Sequence, residues 1–162
     1  MGKKMAGAIV LLTGCLGGAL IDFEEGEWVV TNTEYTTNEC EFSVSTGEVT
    51  FDITKVDMDD VSVVWGDDTL DCIDLGDGIE CEPESIVTDI NDISQDDMDA
   101  VVTNELTVSI EFIDAVTGTI SVSQDFTCVG EDCEYVEVGG EDGNTLASIP
   151  CQSTSTSDIA KK

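Results

Sequence analysis

The sequence lacks arginine and histidine altogether, and its only basic residues are five lysines among 36 acidic residues. Histidine is the usual general base beside a serine or cysteine nucleophile, so its absence disfavours a nucleophilic triad. Without arginine and without a glycine-rich phosphate loop, phosphoryl transfer is disfavoured too. Paired carboxylates of the glycosidase kind carry no information here, because in so acidic a chain some pair meets the distance by chance. We therefore predict a protein that is not an enzyme and has no cofactor.

The shortage of basic residues gives the chain a strongly negative charge. Lys3 and Lys4 precede every acidic residue, so the chain from Cys15 onward carries 36 acids and three lysines, a net charge of −33. Such a field repels nucleic acid and anionic lipid headgroups. It fits solubility in a salty medium; the alternative is a surface that weakly attracts cations or a basic partner. Because 41% of the residues are apolar and many of them alternate with polar ones, we expect a folded chain rather than a disordered one.

The first residues have the pattern of an export signal. Lys3 and Lys4 are followed by an apolar run from Met5 to Leu12 that is too short to span a bilayer. The next residues, Leu12-Thr13-Gly14-Cys15, resemble the lipobox of bacterial lipoprotein precursors. The resemblance implies that signal peptidase II recognises Leu12, Thr13 and Gly14 and cuts before Cys15, whose thiol carries diacylglycerol. An ordinary secretory signal or a buried helix is the alternative.

The lipobox resemblance also implies a location. Residues 1–14 would be removed and residues 15–25 would form a lipidated tether to the membrane, held firmly by two or three acyl chains, as in palmitate-bearing anchors. Leu16 follows the cysteine, and by resemblance to enterobacterial sorting the absence of aspartate there favours the outer membrane. We expect a protein of the bacterial cell envelope whose membrane face, periplasmic or exposed, stays open.

With Cys15 bound to lipid, six cysteines remain, an even number that in an exported chain indicates three disulfides. A metal site is the alternative, but without histidine and without a second closely spaced pair we expect no metal. A two-residue turn at Gly76-Asp77 would place Cys72 opposite Cys81, within disulfide reach. For the rest we favour Cys128 with Cys133 and Cys40 with Cys151. Pairing of Cys128 or Cys133 with Cys151 is the alternative.

Apolar residues alternate with polar ones along several segments, as in strands that have one wet face. The inward set on this pattern is Val49, Phe51, Ile53, Val61, Val63, Trp65, Leu106, Val108, Ile110, Phe112, Ile120, Val122 and Phe126. We predict an all-β, mostly antiparallel barrel or sandwich of about eight strands over residues 26–151. Ser94–Val102 is predicted to be one short connector helix, and the Ser/Thr-rich residues 152–162 a flexible tail.

Two acidic segments suggest hard oxygen ligands for calcium, Asp57–Asp60 and Asp89–Asp99. The second begins like an EF-hand, but Ile93 stands at a ligand position, Ser94 at the glycine position and Ala100 at the position of the bidentate glutamate. We expect acidic loops that bind cations weakly at most.

The residues Gly26-Glu27-Trp28 resemble the Gly-x-Trp signature of lipocalins. That resemblance implies an eight-stranded barrel, closed at one end by the tryptophan, that carries a small apolar ligand. The lipocalin arginine that packs on this tryptophan cannot exist here. Because the inward side chains are medium to large, we predict a filled interior and a non-catalytic module that binds through its loops and outer face. A lipocalin-like carrier with an internal cavity is the alternative.

Overall fold

A computed structural model of the protein describes residues 20–43, 48–92, 98–139 and 146–162. These residues form eleven strands and two short 3-10 turns, at Ile90–Asp92 and Cys133–Tyr135. In chain order the strands are β1 (Gly26–Asn38), β2 (Val49–Lys55), β3 (Asp60–Trp65), β4 (Asp68–Asp74), β5 (Gly78–Cys81), β6 (Glu84–Asp89), β7 (Val101–Phe112), β8 (Thr117–Val129), β9 (Glu137–Gly139), β10 (Leu146–Ser148) and β11 (Cys151–Lys161). Among them no helix has the length and apolar character to cross a membrane.

The strands close into an antiparallel barrel of eight strand positions. From β1 to β5, each strand pairs with the next one along the chain. The short β5 and β6 follow one another along the same edge of β7, and together they occupy one position. β8 then joins β7 to β11, and β11 closes the barrel by pairing with β1. A separate hairpin of β9 and β10 stands outside this ring. The all-β barrel is thus confirmed over the sandwich.

Alternation along each strand decides which side chains fill the barrel. Successive residues of a strand point to opposite faces, and the buried positions of β2 and β3 are Phe51, Ile53, Val61 and Val63. Between them the polar residues of the same strands face solvent. The buried apolar side chains form one main core inside the barrel, with two small clusters near the ends of β8 and β11.

All three disulfides form the favoured pairs. The turn at Gly76-Asp77 places Cys72 opposite Cys81 in the β4–β5 ladder, and the two are bonded. Gly76 has a φ of +90°, which glycine adopts at low cost and which allows this tight turn. Cys40 is bonded to Cys151. The third pair, Cys128 with Cys133, links the end of β8 to the 3-10 turn after it.

The prediction of a flexible tail over residues 152–162 is wrong. Residues 151–161 form β11, which pairs with β1 on one side and β8 on the other. Ser153, Ser157 and Ile159 face inward and are buried. Threonine suits a pleated strand, and closure of the barrel satisfies the backbone of this segment on both edges. The Ser/Thr composition therefore describes a polar inner face rather than a frayed end.

The predicted tether also extends less far than residue 25. Phe23 is only 3% exposed, and its ring stacks on Phe112 with 4.7 Å between centroids. Ile21 packs against the same core, and its backbone N–H donates a hydrogen bond to the Gly76 carbonyl. Residues 21–23 thus cover one end of the barrel because their apolar side chains are buried there. Cys15 to Ala19 lie outside the described residues.

The prediction of a helix over Ser94–Val102 is wrong where the structure describes it. Val101 and Val102 begin β7 and pair with Val129 and Cys128 of β8. Two adjacent β-branched residues fit a strand better than a helix, and the ladder to β8 decides in favour of the strand. Residues 93–97 lie outside the described ranges.

Candidate ligand-binding cavity

One end of the barrel, which we call the closed end, is plugged by three aromatic side chains. Trp28 is fully buried, its ring lies 5.5 Å from that of Phe112, and Phe112 stacks on Phe23. The Trp28 Nε1–H donates a hydrogen bond to the carbonyl of Glu24 at 3.0 Å, which satisfies the only polar atom of the side chain. Above them Ile53, Val63, Ile79, Ile110 and Ile120 are almost completely buried. This half of the barrel is solid.

The inward residues become smaller and more polar toward the opposite end, which we call the open end. On β11 the inward positions change from Ile159 to Ser157, Ser155 and Ser153. On β7 they change from Ile110, Val108 and Leu106 to Asn104, and on β8 from Ile120 and Val122 to Gln124. Small side chains cannot fill an eight-stranded barrel. The space they leave is a cavity of about 610 Å³.

The expectation of a filled interior is therefore correct for the closed half and wrong for the open half. A volume of about 610 Å³ falls in the range of small-molecule sites, roughly 300–1,000 Å³. The wall is mostly apolar in its lower part, where it includes Val30, Val49, Trp65, Leu106 and Val122. Near the mouth the rings of Phe42 and Phe126 meet edge to face, with 5.8 Å between their centroids. The polar part of the wall contains Thr33, Asn104, Gln124, Ser155 and Ser157.

The barrel wall is interrupted on one side of the cavity, between β4 and β6. The last backbone contact to β4 is the bond from Glu82 N–H to the Asp71 carbonyl, at 2.9 Å. Pro83 follows, and because proline has no N–H it cannot continue a ladder. Among the described residues, β6 pairs only with β7. The turn from Trp65 to Asp68 lines the cavity on one side of this gap and Ile86 on the other, so the cavity opens sideways as well as at its end.

Two oxygen atoms in this region are buried without a hydrogen-bond partner among the described residues: Asn104 Oδ1 and Glu84 Oε2. Glu84 lies opposite Leu106 in the β6–β7 ladder and Asn104 lies opposite Ile86, so the two side chains are diagonal neighbours. Both side chains lie on the face of their strand that is less exposed to solvent. A buried unpaired acceptor costs about 1–3 kcal/mol. By contrast, the hydroxyls of Thr33 and Ser157, which both line the cavity, form a hydrogen bond with each other at 2.8 Å.

Charge is segregated along the barrel axis. The three lysines of the described residues all lie at the closed end. The Lys55 ammonium forms an ion pair with the Asp22 carboxylate at 2.5 Å and lies 4.3 Å from the centre of the Phe23 ring. Lys162 bonds to Glu27 and Glu48, each at 2.7 Å, and these hydrogen bonds raise the pKa of its ammonium above the ordinary value. Lys161 is the register partner of Trp28.

The open end has no basic side chain among the residues described. Asp67 and Asp68 line the cavity mouth, in the turn between β3 and β4. An anionic ligand would meet these carboxylates without a compensating cation, whereas a neutral or cationic ligand would not be repelled.

The residues singled out from sequence fall into two groups. Leu12, Thr13, Gly14 and Cys15 lie outside the described residues. The six disulfide cysteines form their predicted pairs, but none of them lines the cavity. Asn104, Gln124 and the inward serines of β11 were not predicted from sequence as residues of a binding site. The available signal was a row of serines at every second position, Ser153, Ser155 and Ser157.

No described residue of the two acidic segments considered for calcium lines the cavity. Within residues 20–43, 48–92, 98–139 and 146–162 no three metal-binding side chains converge as a cation site. Asp57 and Asp89 each accept a hydrogen bond from a nearby backbone N–H, of Met58 and Asn91. Asp96 and Asp97 are not among the described residues.

The chain matches no family model, no curated protein and no solved structure. The geometry of the barrel and its cavity is therefore the basis for inferring a function.

Proposed function

We propose that the protein is a non-catalytic binding protein of the bacterial cell envelope that carries a small, mainly apolar ligand in the cavity at the open end of its barrel. The observation that carries the proposal is the cavity of about 610 Å³ above a solid, aromatic-plugged base. Trp65, Leu106 and Val122 offer apolar contact to such a ligand, and the gap between β4 and β6 offers a path of entry.

The other candidate was a module that works through loops and the outer face of a filled barrel. The open half of the barrel is not filled, and this favours the carrier. The arrangement of base and cavity is also what the lipocalin resemblance of Gly26-Glu27-Trp28 implies, since Trp28 lies at the closed end.

The proposed location rests on the lipobox. Lipid on Cys15 would join the chain a few residues before Leu20, which leads into Ile21 and Phe23 at the closed end. Five residues span at most about 18 Å. The closed end would therefore lie near the membrane, and the cavity would face away from it.

A cavity-filling variant tests the proposed function. In Val122→Phe the ring would project into the cavity, whereas in the matched control Ser121→Phe it would project outward, because adjacent strand residues face opposite sides. Titration with a neutral naphthylamine probe should show micromolar binding to the wild type and to Ser121→Phe, and at least tenfold weaker binding to Val122→Phe. Equal probe affinity in all three proteins, or no binding by the wild type, would contradict the proposed function.

A further inference from the structure

We infer that the closed end of the barrel docks on a lipid bilayer and inserts apolar side chains of its loops among the headgroups of zwitterionic phospholipids. This inference rests on the proposed lipid anchor at Cys15 and goes beyond it, because it makes the folded domain itself a membrane-binding surface. It is carried by the distribution of exposed apolar side chains over the barrel.

Exposed apolar side chains are concentrated at the closed end. Of the eleven large ones that are exposed among the described residues, six lie in the loops of that end and in the segment that leads into it: Leu20, Val56, Met58, Leu75, Ile113 and Val116. Three of these are at least 71% exposed. At the open end, by contrast, the turn between β3 and β4 consists of Gly66 and Asp67. Single exposed apolar residues are ordinary on a protein surface, but a group of them at one end indicates an interaction site.

Hydrogen bonds join these loops into one surface. The Asp74 N–H donates to the Asp59 carbonyl at 2.8 Å, which links the β4–β5 turn to the β2–β3 turn. The Ile21 N–H donates to the Gly76 carbonyl at 2.6 Å, and the Glu24 N–H donates to a carbonyl of the β7–β8 turn at 2.9 Å. The N-terminal segment therefore lies between the turns, and the exposed apolar residues belong to one face.

The same turns contain aspartates, and these select the kind of lipid. Asp57, Asp74 and Asp114 each accept a hydrogen bond from a backbone N–H of their own turn, at 2.8, 2.7 and 2.9 Å. Asp22 is paired with Lys55. These carboxylates attract the ammonium groups of zwitterionic headgroups and repel anionic headgroups. The face therefore suits phosphatidylcholine or phosphatidylethanolamine better than an anionic surface.

The place where the described chain begins favours the bilayer as the partner. Leu20 belongs to this face, and the proposed lipid on Cys15 is five residues away, at most about 18 Å. The residues between them, Leu16 to Ala19, include one large apolar side chain, which is too few to cover six. A second copy of the chain is disfavoured, because each copy carries a net charge of −33 from Cys15 onward. The bilayer is the apolar partner that the anchor holds within reach.

The anchor also explains why a modest apolar face is sufficient. Acyl chains in the bilayer make contact between the face and the lipid an intramolecular event, so a high effective concentration replaces high affinity. The loops then fix the orientation of a protein that the acyl chains already hold. In this orientation the cavity mouth, at the opposite end of the barrel, faces the aqueous phase.

The test uses the lipidated protein in phosphatidylcholine vesicles whose acyl chains carry bromine near the headgroup. A tryptophan is introduced at the closed end, in Met58→Trp or Ile113→Trp, and at an exposed apolar position of the open end in the matched control Val129→Trp. We expect bromine to quench most of the added fluorescence in the first two variants and almost none in the control. Equal quenching in all three, in protein that floats with the vesicles, would overturn the inference and leave the anchor intact. Protein that does not float would overturn the anchor itself.

A charged substitution separates insertion from mere nearness to the bilayer. With Leu75→Trp as the reporter, Ile113→Asp should lower the quenching at least twofold, because a carboxylate resists leaving water. Val129→Asp adds the same charge at the open end and should leave the quenching unchanged. A thermal melt checks that each variant is folded. Unchanged quenching in Ile113→Asp would show that the tether alone brings the turn close to lipid, and would overturn insertion.

Two further comparisons test the choice of partner. Quenching should persist at about one protein per vesicle; its loss on dilution would assign the face to a second copy of the chain and overturn the inference. Replacement of about one third of the phosphatidylcholine by phosphatidylglycerol should weaken the quenching. Equal or stronger quenching in the anionic vesicles would overturn the selection of zwitterionic lipid.

Discussion

The three disulfides differ widely in the length of chain they close, and this predicts how much each stabilises the barrel. Cys40 and Cys151 are 111 residues apart, Cys72 and Cys81 are nine apart, and Cys128 and Cys133 are five apart. In the chain-entropy model these loops correspond to about 4.8, 2.7 and 2.2 kcal/mol. Cys40–Cys151 contributes most because it closes by far the longest loop. It also ties the end of β1 to the start of β11, the two strands that close the barrel.

Each disulfide is replaced in turn by a pair of alanines, and the free energy of unfolding of each variant is measured in urea. Cys40→Ala/Cys151→Ala should lower the free energy of unfolding most, by roughly 2 kcal/mol more than Cys72→Ala/Cys81→Ala. This comparison is well matched, because all four sulfurs are buried and both variants lose similar side-chain contacts. If Cys40→Ala/Cys151→Ala were the least destabilised of the three variants, the dependence of disulfide stabilisation on loop length in this protein would be refuted.

Three further predictions concern single residues. Phe23→Ala should destabilise the protein by about 3–5 kcal/mol, whereas Leu20→Ala, at an 87% exposed position, should change stability by less than about 0.5 kcal/mol; equal effects in thermal melts would place residue 23 outside the fold. Cys15→Ala should abolish labelling by a fatty-acid analogue in cells, and an unlabelled parent protein would rule out the lipid anchor. Asp114 accepts hydrogen bonds from two backbone N–H groups of its turn, which lower its pKa. Its contribution is therefore present above about pH 4 and lost as the pH falls through the folded-state pKa, so Asp114→Asn should lower the melting temperature at pH 7 and have no effect near pH 2.

The parts of the fold that follow local rules were predictable from sequence. Alternation identified β2, β3, β7 and β8 because burial of every second side chain is a property of the strand itself. The Cys72–Cys81 pair depended only on the turn at Gly76-Asp77. The choice between barrel and sandwich was not local, since it depends on whether β1 meets β11 at the far end of the chain.

The errors have a common physical cause. Residues 152–158 contain no apolar side chain, so alternation could not reveal a strand whose inner face is made of serine. Phe23 was assigned to a tether because its partner, Phe112, lies far away in sequence. Asn104 occupies an inward position of β7 between Val102 and Leu106, and the alternation of apolar residues does not reveal a polar residue of a cavity wall.

If a ligand occupies the open half of the barrel, as we propose, the two tryptophans report its binding directly. Trp65 lines the cavity, whereas Trp28 is buried at the closed end beneath the solid core. Titration with a brominated dodecanol, whose heavy atom quenches only at contact, should quench much of the wild-type tryptophan fluorescence and should leave the emission of Trp65→Phe unchanged. Equal quenching in Trp65→Phe, or no quenching in the wild type at concentrations that displace the naphthylamine probe, would contradict the account.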